Sequence, residues 1–207
     1  MVDFNVAVMT PAGNVRTPKS RLGFTKTLFE PRARAEGKDP EYGCSIVIPP
    51  TADISLLKKV AQDVAIAEFG KEQLEKLLKQ GKFRWPFMKG EQCEGANGKH
   101  FPDECDDWTV IRANSKQRPG IVDARGLTVD EESLAYSGRW GVASLRAFAY
   151  GKGAKHGNYG VSFGLQNVQI LDDAEPWGGT RVRAEDEFAP VETGGGSADG
   201  AFDLIGG

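Results

Sequence analysis

Phe4, Val6 and Val8 alternate with polar or small residues, the period-two pattern of a strand with one buried face. Thr10-Pro11-Ala12-Gly13-Asn14 then ends it with turn chemistry. A second extended region is predicted over 21–29, and a third over Tyr42–Ile48, closed by Pro49-Pro50, which cannot continue a ladder. Leu56, Leu57, Val60, Val64 and Ala67 recur at helical spacing, with Thr51 or Asp53 available as a cap. Gly70 breaks that helix; Lys71–Gln80 resumes it through Leu74, Leu77 and Leu78 until Gly81. Residues 81–107 read as loop, with Trp85, Phe87 and Phe101 embedded. Strands are predicted at Trp108–Ala113, Ile121–Val122, Arg139–Tyr150 and Tyr159–Leu171, the last two joined by a glycine-rich, charged connection over 151–157. These elements sum to a mostly β chain with an inserted helix, either α+β or a barrel, and one domain over 1–184.

Composition favours strands and turns over a bundle, since 26 Gly and 11 Pro among 207 residues exceed ordinary usage. No apolar run reaches the roughly 18 residues of a membrane helix, and Met1-Val2-Asp3-Phe4 does not begin a signal peptide. Three cysteines form no disulfide framework, so a cytoplasmic location is expected. The net charge of -3 hides a division, because no Lys or Arg follows Arg183. Residues 185–207 carry Glu185, Asp186, Glu187, Glu192, Asp199 and Asp203, leaving a body of +3. Gly194-Gly195-Gly196-Ser197 makes this stretch a flexible acidic tail by composition, with Phe202, Leu204 and Ile205 as an apolar tip. Such a tail has two physical uses beside a basic groove. It can mimic a polyanion there, or dock its tip in a partner through Asp199, Phe202, Asp203 and Leu204.

The chemistry concentrates in Trp140–Tyr150. One strand face carries Trp140, Val142, Ser144, Arg146, Phe148 and Tyr150; the other carries the small apolar set Gly141, Ala143, Leu145, Ala147 and Ala149. The second set suits the interior of a small barrel. The first suits single-stranded nucleic acid, whose bases stack on aromatic rings while cations meet phosphates. The competing reading is that Trp140 and Phe148 pack beneath the neighbouring helix. Arg139, Arg146, Lys152 and Lys155 cluster on the same strand and loop, with Arg21 and Arg84 as further phosphate contacts from other basic–aromatic runs.

Other chemistry finds less support. Cys93, His100 and Cys105 lack the paired spacing of a structural zinc site, and no metal or other cofactor is expected. The acidic run Asp103–Asp107 would offer Mg²⁺ ligands to a nuclease, although a solvated loop is the simpler reading. No nucleophile elbow or phosphate-binding loop is present, so no enzyme signature survives.

Several ordered motifs carry a family resemblance. They run from Arg21-Leu22-Gly23-Phe24 and Leu28-Phe29-Glu30-Pro31 through Tyr42-Gly43-Cys44-Ser45-Ile46-Val47-Ile48-Pro49 to Ile111-Arg112-Ala113-Asn114-Ser115. Tyr136-Ser137-Gly138-Arg139-Trp140-Gly141-Val142 and Gly160-Val161-Ser162-Phe163-Gly164-Leu165-Gln166-Asn167 follow, with Asp186-Glu187-Phe188 last. Over most of residues 16–188 the chain resembles the single-stranded DNA-binding proteins of tailed bacteriophages, distantly similar to the helix-destabilising proteins of short-tailed phages. The resemblance implies an OB-fold-like Greek-key barrel, binding of single-stranded DNA without catalysis, and a role in phage replication, recombination or repair. It also implies an acidic tail that contacts replication or recombination proteins, and a homodimer. A scaffolding protein with a recruiting tail is the reading from another class. The chain departs from the pattern by ending on Leu204-Ile205-Gly206-Gly207 and not on an aromatic residue.

Overall fold

The computed structural model describes residues 3–33, 36–95, 98–152 and 158–177. The Thr10–Asn14 turn joins β1 (Val8–Met9) to β2 (Val15–Arg16). The strand expected from Phe4 onward is shorter than its alternation suggests, because Val6 bridges Asp53 and leaves the ladder. β3 (Ser20–Gly23) gives way at once to a 3₁₀ turn over Thr25–Leu28, where extended chain was expected to 29. Burial of Leu28 in the main core, with Thr27 Oγ1 donating to the Gly43 carbonyl at 2.6 Å, outweighs the local preference.

β4 (Tyr42–Ile48) ends at the two prolines as predicted. α1 (Ser55–Phe69) then turns Leu57, Ala61 and Ala65, four residues apart, into the core. Asp53 accepts the Ser55 N–H at 2.8 Å, so the expected acid does satisfy an orphan donor at the helix start. Gly70, at φ 75°, separates α1 from α2 (Lys71–Lys79), which buries Leu74 and Leu77. The stretch read as loop contains β5 (Phe83–Arg84), β6 (Met88–Lys89) and a small hairpin of β7 (Glu94–Gly95) and β8 (Gly98–Lys99). β9 (Thr109–Ser115), β10 (Gly120–Val122), β11 (Trp140–Tyr150) and β12 (Tyr159–Ile170) complete the sheet near their expected positions.

Five strands close a barrel: β3 pairs β4, β4 pairs β9, β9 pairs β12, β12 pairs β11, and β11 returns to β3. Only the β9–β12 contact is parallel within that circuit. The closed five-stranded path with helices inserted between β4 and β9 is an OB-fold architecture, as expected. Its interior holds Leu22, Ile46, Ile111, Leu145, Phe163 and Leu165, each at most 1% exposed and each worth about 1.5–3 kcal/mol on burial. Ala143, Ala147 and Ala149 of β11 join this core, which is the small inward set anticipated there.

A second, smaller core lies outside the barrel. Val47 of β4 and Val110 of β9 point away from the interior and are covered by Cys93, Phe101 and Cys105 of the 83–108 insertion. This cover buries the outer face of β4 at Val47. Arg21 staples the arrangement. Its Nε donates to the Gly138 carbonyl and its Nη2 to the Glu175 carbonyl at 2.8 Å, while Nη1 lies 3.7 Å from Glu104. The guanidinium sits between the Trp140 and Trp177 rings, 5.3 and 5.0 Å from their centroids. Among the described residues no helix is long and apolar enough to cross a membrane.

Candidate nucleic-acid interface

The insertion covers only part of the outer β4–β9 face. Beyond its edge, Gly43, Ser45, Arg112 and Asn114 open into a cleft of about 420 Å³, walled by Phe24, Thr27, Arg32, Glu41 and His100. Gly43 pairs Asn114, Ser45 pairs Arg112, and their side-chain positions share the outward face. An added Cβ at Gly43 would lie 2.5 Å from Asn114 Oδ1 and 2.6 Å from the Ala113 carbonyl, so glycine is needed for Asn114 to lie flat.

This face continues around the barrel. Asn114 pairs Gly164 of β12, and Gly164 pairs Arg146 of β11. The row Gly43–Asn114–Gly164–Arg146 therefore crosses four strands, about 14 Å at ordinary strand spacing. Alongside it, Phe148 pairs Ser162 and Tyr150 pairs Gly160. Phe148 is 48% exposed although it is a large apolar ring, and Tyr150 lies across Gly160, where a Cβ would meet its hydroxyl at 2.5 Å. The result is a low floor of Gly160, Ser162 and Gly164 bordered by two rings and an arginine. Arg84 of β5 stands at its end, where β5 pairs Tyr159–Gly160. Arg112, Arg146 and Arg84 are all exposed to solvent.

The other expected contacts fall elsewhere. Trp140 is not on this floor: it starts β11 at the opposite end, with Lys19 5.1 Å and Arg21 5.3 Å from its ring and Trp108 6.1 Å away. Val142, between them on the same strand face, is 2% exposed and interrupts the single stripe the alternation suggested. Arg21 and Arg139, expected as phosphate contacts, both have partners within the protein. Arg21 is 7% exposed, and Arg139 donates to the Leu134 carbonyl at 2.6 Å while pairing Asp173 at 3.1 Å. Lys152 donates to the Glu68 carbonyl at 2.9 Å, capping the last turn of α1. Lys155 and the tail residues Asp199, Phe202, Asp203 and Leu204 lie outside the described residues.

Sequence reasoning missed Arg112, Asn114, His100 and Phe24 as members of one site. The signal was present as Ile111-Arg112-Ala113-Asn114, a strand with apolar residues inward and polar ones outward. Among the described residues no three His, Cys, Asp or Glu are placed to hold a metal ion. Cys93 and Cys105 lie in the second core, and His100 packs edge-on to Phe24 at 5.1 Å. Burial pushes the Cys44 thiol up to about 12 and, with added repulsion from Glu104, that of Cys105 to about 11. Burial also raises Cys93, so all three thiols are neutral at physiological pH.

Comparisons with known proteins agree with this fold. Among curated protein sequences none matches. Among solved structures, the fold is similar to a single-stranded DNA-binding protein from bacteriophage Enc34 in complex with ssDNA, with TM-score 0.59 and 18% identity over 86% of this chain and 96% of that one. Another structure of the single-stranded DNA-binding protein from bacteriophage Enc34 gives TM-score 0.62 and 17% identity, over 90% and 95% of the two chains. A family model described as Enterobacter phage Enc34, ssDNA-binding protein, matches residues 13–199, so the chain belongs to that family of phage single-stranded DNA-binding proteins.

Proposed function

We propose that this protein binds single-stranded DNA without strong sequence preference. The strand lies in the β4–β9 cleft and continues across β12 to β11. The observation that carries this reading is the continuous outward row Gly43–Asn114–Gly164–Arg146, which joins the cleft to the Phe148–Tyr150 floor. Oligonucleotides occupy the corresponding sheet face and its adjoining loops in OB-folds. Each part has a physical task. Arg112, Arg146 and Arg84 meet phosphates, the rings stack on unpaired bases, and the glycines let a base approach the backbone. A duplex hides its base faces and so gains only the charge contacts. With a body of only +3, stacking carries much of the affinity.

The tail, residues 185–207, competes for the same arginines with its six acids and offers its apolar tip to replication or recombination proteins. Support comes from charge complementarity and from Trp177, the last described residue before it, which packs against Phe101 of the second core, the sequence neighbour of the cleft residue His100. Fluorescence anisotropy with oligothymidylate and with a duplex of equal length, at low and physiological salt, tests the proposal. Tight, salt-weakened binding of the single strand with weaker duplex binding is expected; equal affinity for both overturns it.

A further inference from the structure

We infer that Phe24 is a base-stacking platform whose ring is fixed toward the cleft by a strained backbone; this rests on the reading of the cleft as a DNA site. Phe24 has φ 55° and ψ 37°, and among the described residues it alone of the non-glycine residues has positive φ. The left-handed region is unfavourable for a bulky side chain, and a turn alone is better served by Gly or Asn. A residue of this kind persists only where its surroundings over-determine it, and such positions concentrate at functional sites.

The surroundings here are specific. At Gly23 an added Cβ would lie 2.8 Å from Phe101 and 3.3 Å from Trp177, so the chain entering Phe24 is clamped against the insertion. Leaving it, the Thr25 N–H donates to Ser137 Oγ at 3.3 Å, and the single Thr27 hydroxyl hydrogen is shared between the Phe24 carbonyl at 2.7 Å and the Gly43 carbonyl at 2.6 Å. Core packing does not explain the ring, because Phe24 is 44% exposed and belongs to neither buried core. Its neighbours are His100 and Phe101, both edge-on at 5.1 and 5.9 Å, which brace it while leaving it open to the cleft that Arg32 and Arg112 also line. An exposed ring, held rigid and next to two guanidinium groups, is what stacking on a nucleobase beside its phosphates requires. Any base presents a π-face, so the contact is sequence-tolerant.

The test uses the full chain with Phe24→Ala, Phe24→Gly and Phe24→Trp, read by oligothymidylate anisotropy across a salt series and by thermal melting. Loss of one stacked base predicts about 5- to 150-fold weaker binding for the Ala and Gly variants. The slope of affinity against salt stays unchanged in both, because no charge contact is removed. Phe24→Trp retains wild-type affinity. Phe24→Gly melts above Phe24→Ala, since both lack the ring and only glycine adopts this φ freely. Wild-type affinity in Phe24→Gly, or a Trp variant as weak as the Ala variant, overturns the stacking role. A Gly variant melting no higher than the Ala variant overturns the strain. A wild-type chain that fails to bind oligothymidylate overturns the cleft reading itself, and this inference with it.

Discussion

Gly164 is the sharpest place to separate binding from folding. It lies midway along the row that joins the cleft to the β11 face, between outward Asn114 and Arg146 and flanked in sequence by the inward, 1%-exposed Phe163 and Leu165. An ideal Cβ there would meet nothing nearer than the Arg146 carbonyl at 3.6 Å, with Gln166 Nε2 and Phe148 Cε1 at 3.8 Å, all ordinary van der Waals distances. A β-carbon is therefore accommodated, and valine's β-branched side chain suits a strand by up to about 1 kcal/mol. For a domain of this size that raises the melting temperature by about 2–4 °C or leaves it unchanged. The isopropyl group, however, stands on the floor beside Phe148, where a stacked base has to lie. Displacing one base costs about 1–3 kcal/mol, roughly 5- to 150-fold in Kd. Anisotropy with oligothymidylate reads the affinity and differential scanning calorimetry the stability. Gly164→Val that melts normally and binds like wild type would refute the path across β12. Gly43→Ala is the contrast: its Cβ at 2.6 Å from the Ala113 carbonyl forces the backbone apart, so stability and binding are expected to fall together.

The remaining expectations divide by residue. Arg112→Ala and Arg146→Ala each weaken binding and lower the salt slope by about one, with little change in melting. Arg21→Ala leaves the Gly138 and Glu175 carbonyls without their donor and costs about 2–4 kcal/mol in denaturant unfolding; a stable variant with reduced salt slope would return Arg21 to the interface. Truncation after Ala184 removes six negative charges and tightens binding, most at low salt; unchanged affinity refutes tail competition. The Cys44 thiol, raised from an ordinary 9.0 to about 12, makes the unfolded chain the first to lose that proton. Stability from this group is present below pH 9 and falls from there toward 12, and Cys44→Ala flattens the decline in a melting series.

Much of the barrel was legible in the sequence because its strands alternate or end in strong punctuation. Tyr42–Ile48 stops at two prolines, α1 and α2 divide at Gly70, and the small inward set of β11 announces a tight interior. The outward placement of Phe148, Arg146 and Tyr150 was legible for the same reason: once the inward set is known, the outward face follows from period two. What could not be read is long-range. Trp140 lies on the same face by periodicity, yet the 83–108 insertion, Lys19 and Arg21 claim it, and nothing local encodes where an insertion folds back. The same holds for Arg139, whose partners Leu134 and Asp173 lie on either side of it in sequence. His100 and Phe24, 5.1 Å apart, meet only because the insertion reaches the end of β3. The left-handed turn at Phe24 has no signature at all, since it breaks the local preference that sequence reasoning relies on.

The central claim is a location as much as an activity, and photo-crosslinking reads location directly. Oligothymidylate carrying 5-iodouracil, irradiated in complex with the full chain and mapped by peptide mass spectrometry, is expected to attach to Phe24, His100, Phe148 or Tyr150. Adducts confined to α1, α2 or the β1–β2 edge would contradict the account.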